Sequence, residues 1–307
     1  MSRTAFLFPG QGSQKVGMGL ELFENSKLGR RRYEEANEIM GMDIASLSFR
    51  GPEEILRQTE FTQPAVYIIS TILSELMLEA GCSPSFAAGH SLGEYSALAT
   101  AGVFSFTEGL NLVRIRGKAM QNAGITIPGT MAAIIGLPPE AVADLCREIG
   151  LGVVQPANFN SQNQVVISGG VSAVNDAIKL AKEAGALKAV ELNVSGAFHS
   201  PLMTPAKKIM RKTLSHSRLG EPAFPVVMNV CAEPVTNPEI IRQNLIDQLD
   251  HPVRWLETVE TLANAGCDSF VEVGPGRVLR GLNRKIDRSL KTAGVRSLAD
   301  IRESVHA

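Results

Sequence analysis

Cysteine is scarce in this 307-residue chain, with four residues at Cys82, Cys146, Cys231 and Cys267. They stand far apart and form no C-x-x-C unit. That spacing disfavours a zinc site or a disulfide framework and fits a reducing compartment. Charge of one sign is equally scarce. Thirty basic side chains face thirty-one acidic ones, for a net charge of −1. Such a chain offers no global basic field to nucleic acid. Long apolar runs are missing too: no window approaches the ~18 apolar residues of a membrane span. The N-terminal stretch Met1 to Gly10 holds no run long enough for a signal peptide. A cytoplasmic protein is expected, with no membrane and no nucleic-acid partner. There is no internal repeat and no low-complexity tract. What is present is a globular balance, 44% hydrophobic and 20% charged, in a length that predicts about two domains.

The stretch 85–102 organises the rest. A short strand of small residues runs into Gly89-His90-Ser91-Leu92-Gly93, and a Leu- and Ala-rich helix follows from Leu92 to Ala101. Glycine-x-serine-x-glycine between strand and helix predicts a sharp turn that projects a nucleophile. The glycines on either side let strand and helix approach closely. The Ser91 oxygen then lies over a helix N-terminus, where free N–H groups favour developing negative charge.

Upstream, Ala5 to Phe8 is a short apolar strand stopped by Pro9-Gly10. The loop Gly10-Gln11-Gly12 that follows invites a dinucleotide reading, but Lys15 stands where the third glycine belongs. Residues 20–41 predict charged, solvated helix. Gln63 to Ala80 predicts a helix packed on a sheet. Ser105-Phe-Thr-Glu108 is a capping box that starts a helix to about Asn122. On that helix Arg116 falls on the apolar side, among Leu112, Val113, Ala119 and Met120. A guanidinium there needs either a buried acid or an anionic ligand.

Residues 125–195 have their own pattern. Strands at Thr130–Ile135, Val153–Phe159, Gln164–Ser168 and Lys188–Val194 alternate with helices at Pro138–Ile149 and Val171–Ala184. The order βαββαβ predicts a ferredoxin-like unit inserted in a larger α/β domain built of 1–124 and 196–307. Further strands are expected at Pro225–Val230 and Ser269–Val273, with a helix at Glu239–Leu249 between them.

A serine nucleophile needs a base, and only five histidines exist. His90 sits in the turn itself, His216 in a charged helix, His306 at the chain end and His251 in a polar turn before a proline. His199 lies in the loop Ser195–Pro201 at the junction of the two expected domains, where clefts form. A carboxylate in the order Ser…Asp/Glu…His would have to be Asp144 or Asp176. Both fall on faces expected in water, so a backbone carbonyl can take the orienting role instead.

Several stretches together resemble one family. They are Phe8 to Gln14, Thr62-Gln63-Pro64-Ala65, Gly89 to Glu94, Arg114-Ile115-Arg116-Gly117, Gly196 to Ser200 and Glu272 to Gly276. In combination the chain is similar to the malonyl-CoA:acyl-carrier-protein transacylases of fatty acid synthesis and the acyltransferase domains of polyketide synthases. The resemblance implies a hydrolase-like large domain around a parallel sheet, with the ferredoxin-like insert as one cleft wall. It implies that Ser91 is acylated, His199 is its base, and the backbone N–H groups of Gln11 and Leu92 form the oxyanion hole. It implies that Arg116 grips the malonyl carboxylate, that a main-chain carbonyl at Gln248 orients the histidine, and that Phe198 bears on side-chain selectivity. Malonyl-CoA and acyl carrier protein would be the partners, with no cofactor and no metal, and a monomer is expected. A serine thioesterase or other hydrolase on the same turn is the competing enzyme class. A non-catalytic acyl-binding subunit is the competing non-enzyme. Candidate docking cations are Arg30-Arg31-Arg32 and the set Arg280, Arg284 and Lys285.

Overall fold

The computed structural model describes residues 3–305; His306 lies outside the described residues. Two sheets organise it. The larger has six strands in the order β10-β9-β1-β2-β7-β8. These are β1 Thr4–Phe8, β2 Phe86–Gly89, β7 Val226–Val227, β8 Pro234–Val235, β9 Ser269–Val273 and β10 Thr292–Val295. Every pairing is parallel except β7 with β8. β1 is apolar and buried from Ala5 to Phe8, as a strand covered on both faces requires. Its register pairs Phe8 with Gly89. The Gly10 loop and the Ser91 turn therefore leave the same edge of the sheet side by side. Ligands of open parallel sheets bind at these carboxyl ends.

The smaller sheet is the ferredoxin-like unit, antiparallel in the order β4-β5-β3-β6. Its strands are β3 Gly129–Ile135, β4 Val154–Ser161, β5 Gln164–Gly170 and β6 Lys188–Glu191. Period-two alternation splits its faces. Ala132, Ile134, Val165 and Ile167 pack with Val142, Val174 and Ile178 of the helices Pro139–Glu148 and Val171–Glu183. Met131, Ala133 and Val166 face the other way, towards the large sheet. The two parts are stitched by a parallel bridge between Asn158 and Val253, with Phe159 N–H to Val253 O at 2.9 Å and Val253 N–H to Ala157 O at 2.8 Å.

Three expectations change. The helix expected from Gln63 begins at Thr59 and runs to Glu79, enclosing Pro64. It is long and apolar enough to cross a membrane, with a mean hydropathy of 1.3, although the sequence was expected to hold no such window. In this fold 78% of that window is buried, so the helix serves as core packing for the large sheet. The expected strand Pro225–Val230 shrinks to two residues. After Val227 the chain turns back, with Met228 N–H bonded to Glu233 O and Ala232 N–H to Met228 O, and Asn229 is diverted into the site described below. The capping box holds as read: Ser105 and Glu108 cap each other at the start of the helix Phe106–Thr126, which runs four residues past the expected Asn122.

Candidate active site

Ser91 occupies the left-handed region at φ +52, which costs a non-glycine residue ~1–3 kcal/mol and clusters at functional sites. The glycines flanking it make the turn feasible. A Cβ on Gly89 would lie 1.9 Å from the Gly93 carbonyl carbon, and one on Gly93 would lie 2.0 Å from Phe8 O. His199, on its own loop, has φ +59. These two strained residues meet: Ser91 Oγ lies 2.8 Å from His199 Nε2. His199 Nδ1 lies 2.7 Å from the main-chain oxygen of Gln248. A carbonyl only accepts, so Nδ1 carries the proton and Nε2 presents a lone pair to the serine hydroxyl. Burial first, then the charge of Arg116, pushes the His199 pKa down to about 3. The ring is thus a neutral base at pH 7. Gln155 Nε2 donates to His199 O at 2.9 Å and fixes the loop from the small-sheet side.

Arg116 is fully buried on the helix Phe106–Thr126. Its Nη2 donates to Ser91 Oγ at 3.1 Å and to Gln248 Oε1 at 2.8 Å; its Nη1 donates to Gln63 Oε1 at 2.7 Å. The Tyr95 ring lies beneath it, 5.5 Å from the guanidinium carbon. Among the described residues no carboxylate forms a salt bridge with it, and its Nε has no partner. Of the two readings of a cation on an apolar face, the buried ion pair is therefore not what the structure contains.

A cavity of about 270 Å³ opens on Ser91. Gln11, Leu92, His199 and Phe198 line it from the large sheet; Met131, Val166, Leu192 and Val194 line it from the small unit. The backbone N–H groups of Gln11 and Leu92 make no hydrogen bond among the described residues. Leu92 is the N-cap of the helix Gly93–Thr100, so its amide is one of the donors a helix start leaves free. His90 turns from Ser91 towards the small unit, with Nε2 2.9 Å from Asn160 Oδ1. Burial lowers its pKa as well. His251 is exposed against Asp250, and His216 lies on the surface. Asp144 and Asp176 are exposed and paired with Arg147 and Lys179, far from any triad role.

Among the polar residues of the site that carried no assigned role in the sequence are Gln63, Glu94 and Asn229. Asn229 accepts from Ser91 N–H at 2.7 Å and donates to Gly89 O at 2.6 Å, so it clasps the nucleophile turn. Glu94 is fully buried, and burial pushes its carboxyl up to about 8 against the donors of Asn229 and Gln248 and the charge of Arg116. The available signal was a carboxylate on a helix otherwise made of small and apolar residues.

The two candidate basic patches separate. Arg32 is engaged with Glu35 and Glu75 and stacks on Phe106 at 4.7 Å, so of the run Arg30-Arg31-Arg32 this member is not free, while Arg30 and Arg31 are exposed. Arg280, Arg284 and Lys285 are exposed on the helix Val278–Ile286. Val278, Leu279 and Leu282 of that helix line the cavity.

A family model described as the acyl transferase domain matches residues 5–299. The malonyl CoA-acyl carrier protein transacylase of Bacillus subtilis (strain 168) is 45% identical over 298 residues, covering 96% of this chain and 94% of that protein. The structure of the Coxiella burnetii malonyl CoA-acyl carrier protein transacylase superposes with a TM-score of 0.96 at 38% identity, covering 99% of this chain and 97% of the other. A malonyl-transacylase solved in complex with a type II polyketide acyl-carrier protein superposes at 0.95 with 42% identity, covering 99% of each chain. With a match across nearly its whole length, a strained serine on a neutral imidazole and a buried arginine on the same oxygen, this chain belongs to the acyl transferase domain family.

Proposed function

We propose that the protein transfers a malonyl group from malonyl-CoA to the phosphopantetheine thiol of acyl carrier protein through a malonyl-Ser91 intermediate. The observation that carries this reading is the convergence on one oxygen. Ser91 Oγ has the His199 base at 2.8 Å and the Arg116 cation at 3.1 Å. A hydrolase of uncharged esters has no use for a buried guanidinium beside its nucleophile. An acyl group ending in a carboxylate does.

His199 Nε2 takes the hydroxyl proton as Ser91 Oγ attacks the thioester carbonyl. The tetrahedral oxyanion is met by the N–H groups of Gln11 and Leu92; a donor of this kind is worth ~10²–10³ in rate. The C–S bond breaks, and CoA leaves as the thiol with the proton from His199. The carrier thiol then gives its proton to His199, attacks the malonyl ester, and Ser91 regains its hydrogen as the C–O bond breaks. Arg116 holds the free carboxylate in both halves, and Phe198 on the cavity wall limits the α-substituent. The carrier approaches over Arg280, Arg284 and Lys285, beside the cavity mouth. The domains are 1–124 with 196–307, and 125–195; the cytoplasm is the compartment and a monomer the working state.

The test is a transfer assay run against hydrolysis. Malonyl-CoA with holo carrier protein should give malonyl-carrier much faster than free malonate. Rapid release of malonate without an acceptor thiol would make the protein a thioesterase. Ligand binding with no turnover would make it a binding subunit.

A further inference from the structure

Glu94 stands outside the chemistry just described, yet among the described residues it is the acidic side chain buried beside it. It is fully buried on the helix Gly93–Thr100, and two donors from distant segments converge on it. Asn229 N–H reaches Oε1 at 2.5 Å, and Gln248 Nε2 reaches Oε2 at 2.6 Å. A carboxyl group offers an acceptor oxygen to each of them. An amide would turn a donor on one of them, and a buried clash of that kind is costly.

Gln248 is where this matters. Its Nε2 is held by Glu94 and by Ser91 O at 2.9 Å. The amide cannot then rotate, and its Oε1 must face the other way, where it accepts from Arg116 Nη2 at 2.8 Å. Gln63 Oε1 holds Nη1 from the far side at 2.7 Å. Arg116 is thus gripped by two neutral amide oxygens, and the Glu94 carboxyl sits one residue removed, behind Gln248. Direct contact with a carboxylate would neutralise the guanidinium before an acyl group arrives. Arg32 shows that arrangement elsewhere in the fold, engaged by Glu75 and Glu35.

We propose that Glu94 is a positioning residue for acyl selection: its two carboxyl oxygens fix the side-chain amide of Gln248 and the Asn229 backbone, and that amide presents Arg116 to the carboxylate of the incoming acyl group. The inference rests on the malonyl reading above and names a determinant of its selectivity. Because the main-chain oxygen of Gln248 serves His199 while its side chain serves Arg116, selection and base chemistry part at this residue.

The experiment measures loading of the full-length protein by malonyl-CoA and by acetyl-CoA, as rates of Ser91 acylation. In Glu94→Gln the malonyl-to-acetyl ratio should fall about tenfold or more, with acetyl loading less affected. Gln248→Met keeps the main-chain carbonyl and removes the amide, so it should lower the ratio in the same way; it also serves if Glu94→Gln does not fold. Equal losses on both substrates in the folded variants, leaving the ratio unchanged, would overturn the proposal and make Glu94 a structural residue. A wild-type protein with no malonyl preference would overturn the underlying reading first.

Discussion

The two walls of the cleft are built on opposite principles. The large-sheet wall supplies Ser91, His199 and Gln11 to the cavity, with Arg116 behind them, and hydrogen bonds tie Ser91 to both His199 and Arg116. The small-sheet wall is mainly apolar, with Met131, Ala133, Val166, Leu192 and Val194, and its polar members Asn158, Asn160 and Gln164 do not titrate. One wall holds charge where the reaction needs it. The other excludes water, which strengthens every electrostatic interaction opposite. The stitches between them, Asn158 on Val253 and His90 on Asn160, set the spacing of the walls.

Breaking the charged wall should be the larger insult. Ser91→Ala should lower transfer by about 10³-fold or more and abolish the acyl-enzyme, read by rapid quench. His199→Ala should cost ~10²–10⁴-fold while leaving Ser91 in place, read as the rate of single-turnover loading. Arg116→Ala should lower the malonyl-to-acetyl ratio by ~10- to 100-fold, since a charge-assisted bond is worth ~1.5–3 kcal/mol. An unchanged ratio would make the arginine structural. Altering the apolar wall should do least to selection. Val166→Ala should raise KM by less than about tenfold and leave the ratio between acyl groups intact; a shift in that ratio would blur the division between the walls.

A pH profile sharpens the same contrast. The pKa of His199 is lowered to about 3 by burial and by Arg116. In the free protein the base therefore stays neutral well below its ordinary value. The acid limb of kcat/KM assigned to His199 should lie below about pH 5. Arg116→Ala removes a positive charge that opposes protonation, so the limb should move up towards the ordinary histidine value. A limb already near pH 6.5 in the wild type would mean that the imidazole is solvated.

Most of the charged wall was legible in the sequence because local rules fix it. The turn around Ser91 follows from two glycines and the change from strand to helix. Arg116 betrays itself by helical phase, and the βαββαβ insert by its alternating periods. The partners of those residues were harder to find. Asn229 and Gln248 lie 135 and 154 residues from Glu94 along the chain, and only the packed fold brings their donors and acceptors together. The stretch Pro225–Val230 predicts a strand through Asn229; hydrogen bonds to Ser91 and Gly89 override that local preference. The missed strand β10 pairs only with β9 at the edge, and its Thr-Ala-Gly-Val sequence carries little propensity of its own. Arg32 looked like free charge in a basic run because Glu75, its partner, lies on another helix.

The central claim is that one hydroxyl carries the acyl group between two thiols. Intact-mass analysis after brief mixing with malonyl-CoA, followed by peptide mapping, tests it most directly. A single malonyl ester on Ser91 that disappears when holo carrier protein is added is the predicted result. An unmodified protein, or an adduct that persists in Ser91→Ala, would contradict it.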